Sequence, residues 1–91
     1  MSSIKEAFVI LNEKGLHARA AALFVQTAST FEARVTVRHG DRTTSGKSIM
    51  GLMTLAAPKG TTLVVEADGP DAPEAVGAIG ALIADRFQEE A

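Results

Sequence analysis

The residues best suited to chemistry in this sequence lie in the segment KGLHARAAALF, positions 14 to 24. Gly15 and Leu16 precede His17, Arg19 follows, and an alanine-rich stretch begins. Because alanine has the highest helix propensity, we expect His17 to be the N-cap or first residue of a helix. A histidine at such a position is a candidate nucleophile, provided that its ring is neutral.

The start of that helix is also a place where an anion can bind. The backbone amides of Ala18, Arg19 and Ala20 would lack intrahelical acceptors, and the positive end of the helix dipole attracts negative charge. The same field disfavours the imidazolium form of His17. These properties fit a reaction in which a ring nitrogen attacks a phosphoryl group and the helix amides hold the resulting phosphohistidine. Arg19 would offset charge on the phosphoryl oxygens.

A simpler interpretation competes with this one. A histidine at a helix start is more often a weak cap or a surface residue, and an arginine in a first turn is more often solvated. Gly15 favours the chemical interpretation, because glycine allows the loop to approach the ring closely or to adopt a positive φ. His39 is an internal comparison: it lies in the turn signal His39-Gly40-Asp41, away from any helix start, and we assign it no function.

The elements that must position His17 alternate between strands and helices. We expect strands at 4–11, 33–38, 42–45 and 61–67, and helices at 18–29, 49–55 and 71–88. Ser48 is a suitable N-cap for the second helix, and Asp71 with Glu74 for the third. The buried stripe of the third helix is expected at Ala75, Val76, Ile79, Leu82, Ile83 and Phe87. Residues 89–91 are expected to form a frayed tail. The order β-α-β-β-α-β-α predicts a two-layer sandwich with the helices on one face of a small sheet.

Length and composition restrict the possible functions. A chain of 91 residues is expected to form a single domain over 1–91 with one core. It has no cysteine and only two histidines, which argues against disulfides and a structural metal. A net charge of −2, with no Tyr or Trp, argues against nucleic acid as a partner. Neither a signal peptide nor an apolar run of ~18 residues is evident, so we expect no membrane partner and a cytoplasmic location.

Two segments together resemble a known family. GLHARAAALFVQTAS begins at Gly15, and GKSIMGLMTLAAPKG begins at Gly46. With both, the sequence resembles HPr, the histidine-containing phosphocarrier of the bacterial phosphoenolpyruvate-dependent phosphotransferase system, over essentially its whole length. The resemblance implies an α+β open-faced sandwich, a four-stranded antiparallel sheet in the order 1-4-2-3 under three helices.

The resemblance also implies roles for individual residues. His17 would take a phosphoryl group on Nδ1 from phosphorylated Enzyme I and pass it to an EIIA-type protein, with Arg19 assisting. The protein would be a monomeric carrier rather than an enzyme, with no metal or organic cofactor of its own. Ser48 matches a serine that a dedicated HPr kinase/phosphatase modifies in some lineages, although a helix cap alone would explain it. Ala20 departs from the family's usual proline, which leaves the sugar-transport and nitrogen-regulatory branches both open.

The second helix is too short to bury all of its apolar residues. We expect Met50 and Met53 to be exposed and Ile49 and Leu52 to belong mainly to the core. A candidate docking face around His17, suited to several partners, consists of Leu23, Gln26, Ile49, Met50 and Met53.

Two other functions remain open at this stage. The chain would be a regulatory interaction module if Ser48 were its switch and His17 were idle. It would be a small-ligand regulatory domain of the βαββαβ type if neither residue had a role, although that interpretation explains neither the histidine at the helix start nor the Ser48 segment.

Overall fold

The computed structural model describes residues 3–91, which form four strands, three helices and a short 3-10 turn. In chain order these are β1 Ser3–Val9, α1 Ala18–Ala28, β2 Arg34–His39, β3 Arg42–Ser45, α2 Ile49–Leu55, β4 Thr62–Asp68, α3 Ala72–Ala84 and the 3-10 turn Arg86–Gln88. The order of elements agrees with the prediction. The first strand, however, ends at Val9, two residues before its predicted end.

The four strands form one antiparallel sheet in the order β1-β4-β2-β3. Alternation along the strands decides which side chains face the helices, because successive residues point to opposite faces. In β2, Val35 and Val37 are buried while Arg34 and Arg38 are exposed. The predicted half-buried strand and the 1-4-2-3 topology are therefore confirmed.

The helices cover one face of the sheet, and α1 packs against both α2 and α3. The buried apolar side chains form one cluster, whose largest members include Ile10, Phe24, Val35, Leu52, Leu63, Ile79 and Phe87. All six residues predicted for the buried stripe of the third helix are buried. Among residues 3–91, no helix is long and apolar enough to cross a membrane.

The end of the chain differs from the prediction. The third helix stops at Ala84 rather than Gln88, and the next turn has left-handed backbone, with φ of 54° at Arg86, 52° at Phe87 and 64° at Gln88. Phe87 is fully buried, and it reaches the core from this turn and not from a continued helix. The tail is not frayed either, because the Glu13 amide donates to the Ala91 carbonyl at 3.0 Å.

Asp71 begins the third helix but does not cap it as predicted. Its side chain makes no capping hydrogen bond. Its two carboxylate oxygens instead accept from the amides of Glu32 at 2.9 Å and Ala33 at 2.8 Å. The carboxylate therefore joins the start of α3 to the segment that enters β2.

Candidate functional site

His17 is the N-cap residue of α1, as predicted. Its backbone is extended, with φ −83° and ψ −177°, and its side chain makes no capping hydrogen bond. The first bond of the helix runs from the Ala21 amide to the His17 carbonyl at 2.8 Å. The amides of Ala18, Arg19 and Ala20 precede that bond and have no intrahelical acceptor. The structure thus places the imidazole at the N-cap of the helix whose first turn carries these three amide donors.

The loop before His17 requires a glycine. Gly15 has φ +65°, and a Cβ at this position would lie 2.4 Å from the Ala57 carbonyl oxygen and 2.9 Å from the Pro58 Cα. The Leu16 amide donates to that same Ala57 carbonyl at 2.9 Å, and the His17 amide donates to the Gly15 carbonyl at 3.0 Å. Both reasons given for a glycine before the histidine, a positive φ and a close backbone approach, are confirmed.

The His17 ring is bound by a residue that the sequence analysis placed in a frayed tail. Its Nε2 hydrogen-bonds the Oε2 of Glu89. The other carboxylate oxygen, Oε1, accepts from Asn12 Nδ2 at 3.0 Å, and the same Nδ2 donates to the Gly15 carbonyl at 2.8 Å. Asn12 is completely buried, so the donor that holds the Glu89 carboxylate is itself fixed by its surroundings. Glu89, Asn12 and Gly15 together form the support of the His17 ring.

The surroundings keep Glu89 ionised. Burial raises the pKa of its carboxyl, but the hydrogen bonds from His17 and Asn12, with the charge of Lys14 nearby, outweigh burial and lower the pKa below its ordinary value. An ionised carboxylate only accepts hydrogen bonds, so the hydrogen in the contact belongs to His17 Nε2. Among residues 3–91, His17 Nδ1 has no hydrogen-bond partner.

A shallow depression of about 370 Å³ lies over the imidazole. It is lined by Glu13, Lys14, His17, Arg19, Gln88, Glu89, Glu90 and Ala91. Of the His17 side chain, 27 % is exposed, against 11 % for Glu89. Arg19 therefore shares an accessible surface with His17, as predicted, and the depression is too open to enclose a small substrate.

Ser48 and the predicted docking residues lie on and around α2. The Ser48 hydroxyl accepts from the Gly51 amide at 3.0 Å and caps that helix, as predicted. Met50 is 72 % exposed and Met53 40 %, while Leu52 is fully buried, all as expected. Ile49 is 42 % exposed, so its predicted place in the core is wrong: it is the first residue of α2, and only Leu52 and Leu55 of that helix are buried. On α1, Gln26 is exposed and Leu23 is half-buried.

His39 occupies a different environment. It is the last residue of β2, and its Nδ1 donates to the Leu55 carbonyl at 3.2 Å, at the end of α2. No helix start lies behind it, so it remains the histidine without an assigned role.

Asn12 and Glu89 were not predicted to belong to the site, and the reasons differ. A single asparagine after an apolar strand and three residues before a glycine is a detectable signal for a buried side chain that bonds its own loop. Glu89 gives no such signal, because its position depends on the left-handed turn at Arg86–Gln88, which contains no glycine.

Comparison with known proteins gives consistent results. A family model described as "PTS HPr component phosphorylation site" matches residues 4–85. "Phosphocarrier protein HPr" of Neisseria meningitidis is 50 % identical over 86 residues, which cover 94 % of this chain and 97 % of the relative. The crystal structure of HPr-C-His from Thermoanaerobacter tengcongensis superposes with a TM-score of 0.89 at 42 % identity, covering 100 % of both chains. A crystal structure of an HPr dimer from that organism has a TM-score of 0.77 at 45 % identity, covering 88 % of this chain and 92 % of the neighbour.

Proposed function

The chain belongs to the HPr family of phosphocarrier proteins of the bacterial phosphotransferase system, and from this premise we propose that His17 carries the phosphoryl group. Phosphorylated Enzyme I is the proposed donor, and an EIIA-type protein is the proposed acceptor. The chain is then a substrate of one transferase and a donor to the next, and works in the cytoplasm as a monomer.

One observation carries the proposal: His17 is a partly exposed N-cap at the first turn of α1, whose amides have no intrahelical acceptor. A phosphoryl group on that ring would meet the amides of Ala18, Arg19 and Ala20 and the positive end of the helix dipole. The guanidinium of Arg19 lines the same depression and can offset charge on the phosphoryl oxygens. These groups are fixed before the reaction, so they stabilise developing charge without reorganisation.

The open shape of the site suits a reaction between two proteins. The depression leaves the ring accessible, so an Enzyme I or EIIA active site can close over His17. The proposed docking face is the set Leu23, Gln26, Ile49, Met50 and Met53, on the neighbouring helices α1 and α2. Its exposed methionines and isoleucine give an apolar contact that can repack against different partners.

Ser48 is a second proposed site of phosphorylation. It is half-buried, and its hydroxyl already accepts from the Gly51 amide. A phosphate at a helix start is electrostatically acceptable, so the added charge would act mainly on partners that dock beside Met50. Regulation by an ATP-dependent serine kinase is therefore compatible with the carrier function.

The test is incubation with phosphoenolpyruvate and Enzyme I, followed by mass spectrometry of the intact protein. The wild-type chain is expected to gain one acid-labile phosphoryl group and His17→Ala none. His39→Ala is the matched control, since it removes the other histidine, and it should be labelled fully. Labelling of His17→Ala to the wild-type extent would refute the proposal. A wild-type chain that resists Enzyme I yet accepts phosphate from ATP and a serine kinase would instead support the regulatory module.

A further inference from the structure

The carboxylate of Glu89 determines which nitrogen of the His17 ring holds the proton. A neutral imidazole carries one N–H, and its place is set by the partner of the ring nitrogens. Glu89 accepts at Nε2, while Nδ1 has no hydrogen-bond partner among residues 3–91. We propose that Glu89 is a positioning residue that holds the His17 proton on Nε2 and leaves Nδ1 as the nucleophile. This inference rests on the proposed phosphocarrier function.

The backbone around Glu89 supports a specific role. Arg86, Phe87 and Gln88 are three consecutive non-glycine residues with positive φ, a conformation that is unfavourable for L-residues with a side chain. Such a strained backbone persists only where surrounding contacts hold it in place, and it is found most often at functional sites. Here the contacts are the fully buried Phe87 ring and the bond from the Glu13 amide to the Ala91 carbonyl.

The carboxylate is itself held in one orientation. Asn12 Nδ2 bonds both Glu89 Oε1 and the Gly15 carbonyl. Because both of those partners can only accept, the amide nitrogen of Asn12 must face them. The Gly15 carbonyl also accepts from the His17 amide. The buried Asn12 side chain therefore holds the loop and the Glu89 carboxylate in fixed positions relative to His17. The direction of the Nε2–H bond, and with it the aim of Nδ1, is therefore fixed before a partner docks.

The proton on Nε2 has a function in both halves of the transfer. On acceptance, the Nδ1 lone pair forms the N–P bond while the bond from phosphorus to the donor breaks, and that electron pair stays with the donor. His17 keeps its Nε2 proton and becomes a phosphorylated imidazolium, whose positive charge lies against Glu89. On donation a nucleophile of the acceptor forms a bond to phosphorus while the N–P bond breaks, the N–P electron pair returns to Nδ1, and His17 leaves as a neutral imidazole rather than as an anion.

The first experiment observes the unphosphorylated protein, so it does not depend on phosphoryl transfer. In nitrogen-15 NMR of the full chain at neutral pH, the His17 Nε2–H proton is expected downfield and slow to exchange, as in a hydrogen bond to a carboxylate. Glu89→Ala should abolish that signal and move both ring-nitrogen shifts towards those of a free imidazole. Glu74→Gln is the matched control, because Glu74 is exposed in the first turn of α3 and does not line the depression, and it should leave the His17 signals unchanged. Identical His17 signals in the wild type and Glu89→Ala would overturn the inference.

The second experiment measures phosphoryl transfer from Enzyme I and on to an EIIA-type acceptor. Glu89→Gln keeps an accepting oxygen but loses the charge, and it should lower the maximal rate on the order of tenfold, the lower end of the loss known for partners that orient metal-binding histidines. Glu89→Ala should be slower still. The carrier concentration at half-maximal rate should stay unchanged, because Glu89 lies outside the docking face. Wild-type rates in both variants would refute the role of Glu89, whereas an unlabelled wild type would refute the phosphocarrier function itself.

Discussion

Replacing Gly15 by alanine tests whether the loop before His17 is as constrained as the structure indicates. Two separate costs apply at this position. The first is the left-handed backbone, since φ is +65°. The second is the contact of 2.4 Å between an added Cβ and the Ala57 carbonyl oxygen, which is backbone and cannot rotate away. Gly40 separates the two costs, because its φ is +64° but nothing lies within 4 Å of an added Cβ.

The magnitudes follow from these two geometries. Left-handed backbone costs a non-glycine residue about 1–2 kcal/mol, and this cost applies to Gly40→Ala and Gly15→Ala alike. Overpacking adds about 1–3 kcal/mol at Gly15 alone. Relief of the clash would move Ala57 away from the Leu16 amide, which it accepts from at 2.9 Å. We therefore expect Gly15→Ala to lower the free energy of unfolding by about 2–5 kcal/mol in total.

The assay is urea unfolding of both variants beside the wild type. With an m-value of about 1–3 kcal/mol per molar urea, the additional cost at Gly15 should lower the midpoint by roughly 1 M relative to Gly40→Ala. Phosphoryl transfer should fall in Gly15→Ala, because the Gly15 carbonyl accepts from both Asn12 and His17. Equal destabilisation by the two variants would refute the reasoning, since it would mean that the Ala57 contact carries no cost.

Three further predictions follow from single residues. The hydrogen bond from the Glu32 amide is the main cause that lowers the pKa of Asp71, and burial opposes it. The stability that this carboxylate contributes is therefore present above a pH of about 4 and is lost as the pH falls through the folded pKa. The free energy of unfolding of Asp71→Asn should depend less steeply on acidic pH than that of the wild type, and an unchanged slope would contradict this. Ser48→Ala removes a cap and should cost about 1 kcal/mol in thermal unfolding, whereas Ser48→Asp, which retains a capping oxygen, should lose less. Met50→Glu should weaken Enzyme I binding in a titration while leaving unfolding unchanged, because this side chain is 72 % exposed; binding equal to that of the wild type would count against the docking face.

The regular part of the fold could be predicted because local pattern and tertiary burial agree there. Alternation along Arg34–His39 identified the buried face of β2, and the apolar periodicity of the last helix identified every buried residue on it except Ala72, in its first turn. The helix start at His17 was equally predictable, since alanine propensity, Gly15 and a capping position all indicated the same boundary. Ile49 was harder to assign, because a helix of seven residues offers too few turns to decide which apolar residues face inward.

The support of the active ring could not be predicted, because it depends on long-range contacts. Glu89 lies 72 positions from its partner His17, and Asn12 lies 77 positions from Glu89. The chain reaches them by a left-handed turn at residues for which no local preference favours positive φ. The burial of Phe87 and the bond from the Glu13 amide to the Ala91 carbonyl hold that turn, and both contacts exist only in the assembled fold. Asp71 shows the same dependence on long-range contacts. Its sequence pattern is that of a helix cap, but its carboxylate accepts hydrogen bonds from the amides that precede β2.

Ala20, where the usual residue of the family is proline, bears on the phosphoryl group more than on the choice of partner. The carbonyl four residues earlier belongs to Leu16, which precedes the N-cap, so no intrahelical bond ends on the Ala20 amide. Proline at this position would break no such bond, and alanine adds a third amide donor to those of Ala18 and Arg19. The Ala20 side chain is completely buried, so the exchange leaves the surface that partners meet unaltered. On the proposed function, alanine would therefore change how strongly a phosphoryl group on His17 is held.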